Sequence, residues 1–152
     1  MEQFLTVQGE GAHTGKSAWF IRLGGCDVGC AWCDVKESWD LEAHPKVSCA
    51  ELVKQARESG APICVVTGGE PAMHDLGPLT KGLRDAGLKT HIETSGTHKM
   101  SGEWDWVTLS PKRFKAARDD AYAHVDELKV VVVNRQDISW GEGHAEKVSE
   151  ST

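Results

Sequence analysis

Two periods of apolar residues alternate along this chain. Residues Ser17–Leu23 (SAWFIRL) are rich in aromatic and β-branched side chains and end at Gly24-Gly25, which predicts a strand. Ser48-Cys49-Ala50-Glu51 is a capping-box pattern, and Leu52, Val53 and Ala56 follow at helical spacing until Gly60 stops them. Residues 62–67 (PICVVT) read as a short apolar strand. Leu76, Leu79, Leu83 and Ala86 make a second helical stripe, ended by Gly87. Residues 89–93 predict a third strand, Trp106–Leu109 a fourth, and 127–134 (ELKVVVVN) a fifth, the clearest of the set. A helical pattern then runs from Ile138 to the end.

Strands that alternate with helices and are nearly continuous in apolar residues predict an α/β fold with mostly parallel strands covered by helices. A chain of 152 residues is expected to form a single domain, 1–152. A full eight-stranded barrel takes about 250 residues. That leaves a partial (β/α) barrel or an open doubly wound sheet. Both place ligands at the carboxyl ends of the strands. The least generic segments all follow strands: the cysteine loop after Leu23, Thr67-Gly68-Gly69-Glu70-Pro71, Glu93-Thr94-Ser95-Gly96-Thr97 and Ser110-Pro111-Lys112. All four are therefore expected on one rim.

Composition narrows the class further. Hydrophobic residues at 39% and charged residues at 26% are ordinary for a globular domain. The longest apolar runs, 63–66 and 130–133, fall far short of the ~20 residues that span a bilayer, so no membrane partner is expected. Met1-Glu2-Gln3-Phe4 lacks the basic and apolar regions of a secretory signal, and a cytoplasmic location is expected. A net charge of −6 argues against a nucleic-acid partner. The run Lys112, Arg113, Lys115 and Arg118 reads as a solvated face, the seven His are assigned to no metal, and Trp19, Trp104, Trp106 and Trp140 read as core or interface anchors.

Three of the five cysteines lie close together, at Cys26, Cys30 and Cys33. Clustered thiols in a reducing compartment read as metal ligands or redox groups. The spacing CxxxCxxC suits three corners of a [4Fe–4S] cluster, which normally takes four thiolates. The missing fourth leaves an open position, which a catalytic metal site keeps. The competing reading is zinc in a Cys₃His site, for which His44 is the nearest downstream histidine. Cys49 and Cys64 lie in apolar segments and read as small buried hydrophobes. Gly68-Gly69 lets backbone approach a ligand closely, and Glu70 is suited to a cationic amino group. Arg22 interrupts an apolar run just before the cysteine loop and offers a planar fork matched to a carboxylate.

CxxxCxxC with Trp32 before the last cysteine, followed by GGEP after the next strand, resembles the radical S-adenosylmethionine superfamily. Within it the chain resembles the 7-carboxy-7-deazaguanine synthase family over nearly its whole length. The motifs are Val7-Gln8-Gly9-Glu10-Gly11, WFIRLGGC from Trp19, Cys33-Asp34, Trp39-Asp40, TGGEPA from Thr67, ETSGT from Glu93, LSPK from Leu109 and ELKVV from Glu127. The resemblance implies a lyase of the 7-deazapurine pathway that leads to queuosine. Such an enzyme converts 6-carboxy-5,6,7,8-tetrahydropterin to 7-carboxy-7-deazaguanine with loss of ammonia. By the same resemblance Cys26, Cys30 and Cys33 hold the [4Fe–4S] cluster, and S-adenosyl-L-methionine occupies the fourth iron. Its reductive cleavage yields a 5′-deoxyadenosyl radical that takes hydrogen from C6 of the pterin. Trp32, Cys33, Asp34, Gly68, Gly69, Glu70, Gly96, Ser110, Lys112, Glu127, Leu128 and Lys129 are implied to line the cofactor. Val7, Gln8, Gly9, Glu10, Arg22 and Thr94 are implied to bind the substrate, Arg22 through its carboxylate. A strand over 127–134 puts Glu127 and Leu128 at its start, away from the expected rim. An electron donor such as flavodoxin and a homodimer also follow from the resemblance.

Two departures stand out. Family members commonly use Mg²⁺, held partly by a hydroxyl residue two places after the last cluster cysteine. Here that place is Val35, so Asp34 or Ser38 would have to supply the oxygen. Relatives continue with another strand and a segment that helps close the substrate pocket, so a naturally minimal or C-terminally shortened form is expected. Two other functions share the cysteine motif: a glycyl-radical-enzyme activase, and a non-catalytic iron–sulfur or zinc-binding module. Residues 8–11 and Arg22 favour a small acidic substrate.

Overall fold

The computed structural model describes residues 1–151. Six strands lie side by side in chain order in one open sheet: β1 (Glu2–Val7), β2 (Ser17–Leu23), β3 (Ile63–Gly68), β4 (Lys89–Thr94), β5 (Trp106–Leu109) and β6 (Glu127–Leu128). β1 runs antiparallel to β2, with Glu2 opposite Arg22, and β2 to β6 are parallel. The helices are α1 (Cys49–Glu58), α2 (Gly77–Asp85) and α3 (Arg135–Ser151). The result is a partial (β/α) barrel, as expected. Among the described residues no helix is long and apolar enough to cross a membrane.

The period-2 pattern of the strands sorts the two faces of the sheet. Ile21, Cys64, Val66, Ile92 and Val107 point to one side, where Leu52 and Ala56 of α1 and Leu79 and Leu83 of α2 cover them. α1 starts where Ser48 Oγ accepts from the Glu51 amide at 3.2 Å, satisfying one of the helix's open donors. The other face carries Phe20, Arg22, Val65, Thr67, His91, Glu93, Trp106 and Thr108. It turns polar towards the carboxyl ends of the strands. The chain before β2 folds over this face: His13 packs tilted against His91 and edge-on against Trp106, with ring centroids 4.4 and 4.5 Å apart. Trp19 and Trp104 pack against the helix-covered core, and Trp140 packs against His144 and Arg113.

The structure corrects three expectations. β1 is a strand at the sheet edge that periodicity did not reveal; all of its residues are exposed or half-buried, so it lacks a clean alternation. The strand expected over 127–134 pairs only at Glu127 and Leu128. Val131, Val132 and Val133 are exposed, because among the described residues no strand pairs on the far side of β6, and apolar content without a ladder partner does not make a strand. Cys49 is exposed at the first turn of α1, whereas Cys64 is fully buried as expected.

Candidate active site

The four loops that follow β2, β3, β4 and β5 meet at one rim around a cavity of about 410 Å³. The cysteine loop supplies Cys26, Cys30, Trp32, Cys33 and Asp34 to its wall. The turns after β3, β4 and β5 supply Gly68, Gly69 and Glu70, then Ser95, then Ser110 and Lys112, while Thr94 enters from the end of β4. Gln8, Gly9 and Glu10 close it from the β1–β2 connection, and Arg22 and Lys129 reach it from the ends of β2 and β6.

The turn after β3 is held hard against the cysteine loop. A Cβ on Gly69 would sit 2.3 Å from the Gly25 carbonyl oxygen and 2.9 Å from Cys26 Cβ, so only glycine fits. The Glu70 amide donates to the same Gly25 carbonyl at 2.8 Å. Glu70 itself is 1% exposed. Its Oε1 accepts from the Ala72 amide at 2.9 Å and from Thr94 Oγ1 at 2.5 Å. Its Oε2 accepts from the Ser95 amide at 2.8 Å and from Ser95 Oγ. Sequence reading matched this carboxylate to a cationic amino group. In the fold four protein donors already fill it, and it ties the turn after β3 to the loop after β4.

Among the described residues no three His, Cys, Asp or Glu side chains converge on a single-ion position. Cys26, Cys30 and Cys33 all line the one cavity, and a cluster in which each of three irons takes one thiolate needs three such ligands rather than a single-ion site. Burial pushes the Cys26 and Cys30 thiols up, and Lys112 opposes the shift at Cys30. Burial lowers the Lys112 ammonium in turn. Lys112 donates to Ser110 Oγ at 2.5 Å and lies 5.4 Å from the centre of the Trp32 ring. A cation therefore stands beside the thiolate wall.

The lining also holds a chain of charged and amide groups. Gln8 Nε2 donates to Glu93 Oε1 at 3.1 Å, and Lys129 Nζ donates to Glu93 Oε2 and Glu10 Oε2, both at 3.0 Å. Burial works against the Lys129 ammonium, but Glu93 and Glu10 outweigh it and raise its pKa. Arg22 Nε lies 2.8 Å from Glu2 Oε1, yet the two are misaligned and this buried N–H has no hydrogen-bond acceptor. A buried donor without an acceptor is costly and rare.

Four residues expected at the site lie outside the cavity. Val7 is exposed at the end of β1, outside the cavity. Gly96 is buried beyond it, with φ +72° and a Cβ position 2.6 Å from Leu109 Cδ1, so its requirement is conformational. Leu128 lines a neighbouring, more open cavity together with Glu127. The register sets Glu127 opposite Thr108, near the end of β5, and its Oε2 accepts from the Ala12 amide at 2.7 Å, outside the site cavity. Sequence reasoning gave no site role to Phe20, and placed Thr67 and Glu93 at the rim without one; all three line the cavity. The signal available for Glu93 was its place in the ETSGT motif beside Thr94.

An open, mostly parallel sheet with three cysteines on the loop after its first parallel strand defines a radical S-adenosylmethionine protein, and the profile of the Radical SAM superfamily matches residues 20–126. The 7-carboxy-7-deazaguanine synthase of Synechocystis sp. is 49% identical over 151 residues, covering 99% of this chain and 73% of that protein. The one from Flavobacterium psychrophilum is also 49% identical, covering 99% and 71%. The crystal structure of QueE from Escherichia coli superposes with a TM-score of 0.84 at 39% identity, covering 99% of this chain and 76% of that one. The chain belongs to the superfamily and, within it, to the family of 7-carboxy-7-deazaguanine synthases. Its family cofactors are a [4Fe–4S] cluster and S-adenosylmethionine.

Proposed function

We propose that this chain is a radical S-adenosylmethionine lyase that converts 6-carboxy-5,6,7,8-tetrahydropterin to 7-carboxy-7-deazaguanine and ammonia. The observation that carries the substrate assignment is Arg22: a half-buried guanidinium on the cavity wall, whose buried Nε–H finds no acceptor even with the Glu2 carboxylate 2.8 Å away, is a planar fork matched to a substrate carboxylate. Cys26, Cys30 and Cys33 hold the cluster. The backbone of Gly68 and Gly69, with Trp32, Asp34, Ser110 and Lys112, cradles the methionyl and adenosyl parts of the cofactor. When bound, the reduced cluster and its cofactor supply a hydrogen-abstracting radical.

The protein's own share is to orient and to exclude water. Arg22 fixes the carboxylate end of the pterin. Gln8, Glu10, Glu93 and Lys129 present alternating donors and acceptors to the polar ring edge. Thr94 keeps its hydroxyl proton on Glu70, so towards substrate it serves as an acceptor. For Mg²⁺ the residue at position 35 brings no side-chain oxygen, and its carbonyl already accepts from Ser38 Oγ at 2.7 Å. Asp34, exposed on the cavity wall, is the carboxylate left to it, and substrate and water complete the shell. An external one-electron donor such as flavodoxin and a homodimeric functional unit complete the proposal, on the strength of the family.

The test is anaerobic reconstitution with iron and sulfide, then incubation with the carboxypterin, S-adenosylmethionine and a reductant. The proposal expects the deazaguanine product by mass. Cofactor cleavage without that product would point to an activase, and an intact cofactor to a binding module.

A further inference from the structure

The cysteine loop needs an anchor. Among the described residues, its backbone hydrogen bonds to other elements arise at Gly25 and Cys26, and none is recorded for residues 27–32. Within that stretch one side chain reaches other elements by hydrogen bond. Asp27 Oδ1 lies 2.9 Å from His98 Nε2, and Asp27 Oδ2 accepts from Lys115 Nζ at 2.6 Å. Lys115 Nζ and His98 Nε2 are themselves 3.3 Å apart. The three residues come from the cysteine loop, the loop after β4 and the segment after β5, and they are 71 and 88 positions apart in the chain.

We infer that Asp27, His98 and Lys115 form a charge-balanced latch whose task is to hold the cysteine loop in register and to fix the electrostatic environment of the cluster. All three are positioning residues, since none lines the cavity. The latch rests on the reading of Cys26, Cys30 and Cys33 as cluster ligands. Asp27 adjoins Cys26, so a net charge left there acts on the cluster at short range. An unpaired Asp27 disfavours adding an electron to the cluster, and an unpaired Lys115 favours it. The two half-latches therefore act with opposite sign, which mere loosening of a loop does not do. Asp27 and Lys115 are partly solvent-exposed, with side chains 42% and 36% accessible, so the effect is largest at low ionic strength.

The test uses Asp27→Asn, Lys115→Met and the double variant, each reconstituted anaerobically beside the wild type. The readouts are iron and sulfide content, the rate of cubane loss to a chelator, and the midpoint potential followed by electron paramagnetic resonance. Both single variants are expected to lose the cubane several-fold faster than the wild type. Their potentials should move apart, upward for Asp27→Asn and downward for Lys115→Met, with the double variant returning near the wild-type value. If a single variant takes up no cluster, the swapped pair Asp27→Lys with Lys115→Asp should regain it, and failure to do so overturns the latch. Potentials that stay put or move together overturn it as well. A wild-type chain that assembles no cubane removes both the latch and the cluster reading, so the two failures are told apart.

Discussion

Replacing Glu70 by Gln isolates the tie between the turn after β3 and the loop after β4. The side chain keeps its shape but loses one acceptor oxygen. Whichever oxygen becomes the amide nitrogen, one backbone N–H, from Ala72 or from Ser95, then faces a donor inside a site that is 1% exposed. The paired hydroxyl of Thr94 or Ser95 can rotate to accept instead, so its bond survives in reversed form. The loss is thus one amide bond to a charged acceptor, about 1.5–3 kcal/mol, plus the penalty of an unsatisfied buried donor, partly offset by no longer burying a charge. A net destabilisation of about 2–4 kcal/mol follows. Urea unfolding of the wild type and the variant measures it, with the midpoint falling and the slope unchanged. A change below about 0.5 kcal/mol, the range of ordinary surface substitutions, would refute the four-donor account of Glu70.

Other consequences are as direct. Arg22→Ala should weaken substrate binding by about 2–3 kcal/mol, roughly 30- to 150-fold, while iron and sulfide content stays at the wild-type level; equal affinity would take Arg22 out of its role. Gly69→Ala puts a Cβ 2.3 Å from the Gly25 carbonyl and should lower iron uptake by displacing Cys26; full loading would contradict the close approach. His91 is held down to about 4 by burial and by neighbouring His13, so the native chain refuses a proton that the unfolded chain accepts below about 6.5. Its contribution is complete above pH 6.5 and is lost as pH falls towards 4, amounting to about 2 kcal/mol between pH 7 and pH 5. A His91→Gln variant should be less pH-dependent over that interval by that amount, and an identical pH profile would exclude His91 as the source.

How much of this was legible in the sequence depended on whether the physics was local. β2 and β5 begin and end where their apolar pattern does, and β3 and β4 differ from expectation by a residue. The rim was legible because parallel strands put their following loops on one side. The length of β6 was not, since Val130 to Val133 read as strand until a pairing partner is required. Lys129, just past β6, lines the cavity, while Glu127 and Leu128 lie outside it, as their place at the start of the strand implied. Glu70 was found, but its pairing with Thr94 and Ser95 was not, because they lie 24 and 25 residues further on. Asp27 looked like a loop residue for the same reason: its partners come from loops that only the fold assembles.

As proposed, Cys26, Cys30 and Cys33 would hold a [4Fe–4S] cubane and leave one iron without a protein ligand. Mössbauer spectra of the reconstituted protein, recorded before and after addition of S-adenosylmethionine, test this most directly. The account predicts that one iron of the four changes its isomer shift while the other three keep theirs. Four irons that remain indistinguishable after the addition, or a protein that takes up zinc in place of iron and sulfide, would contradict it.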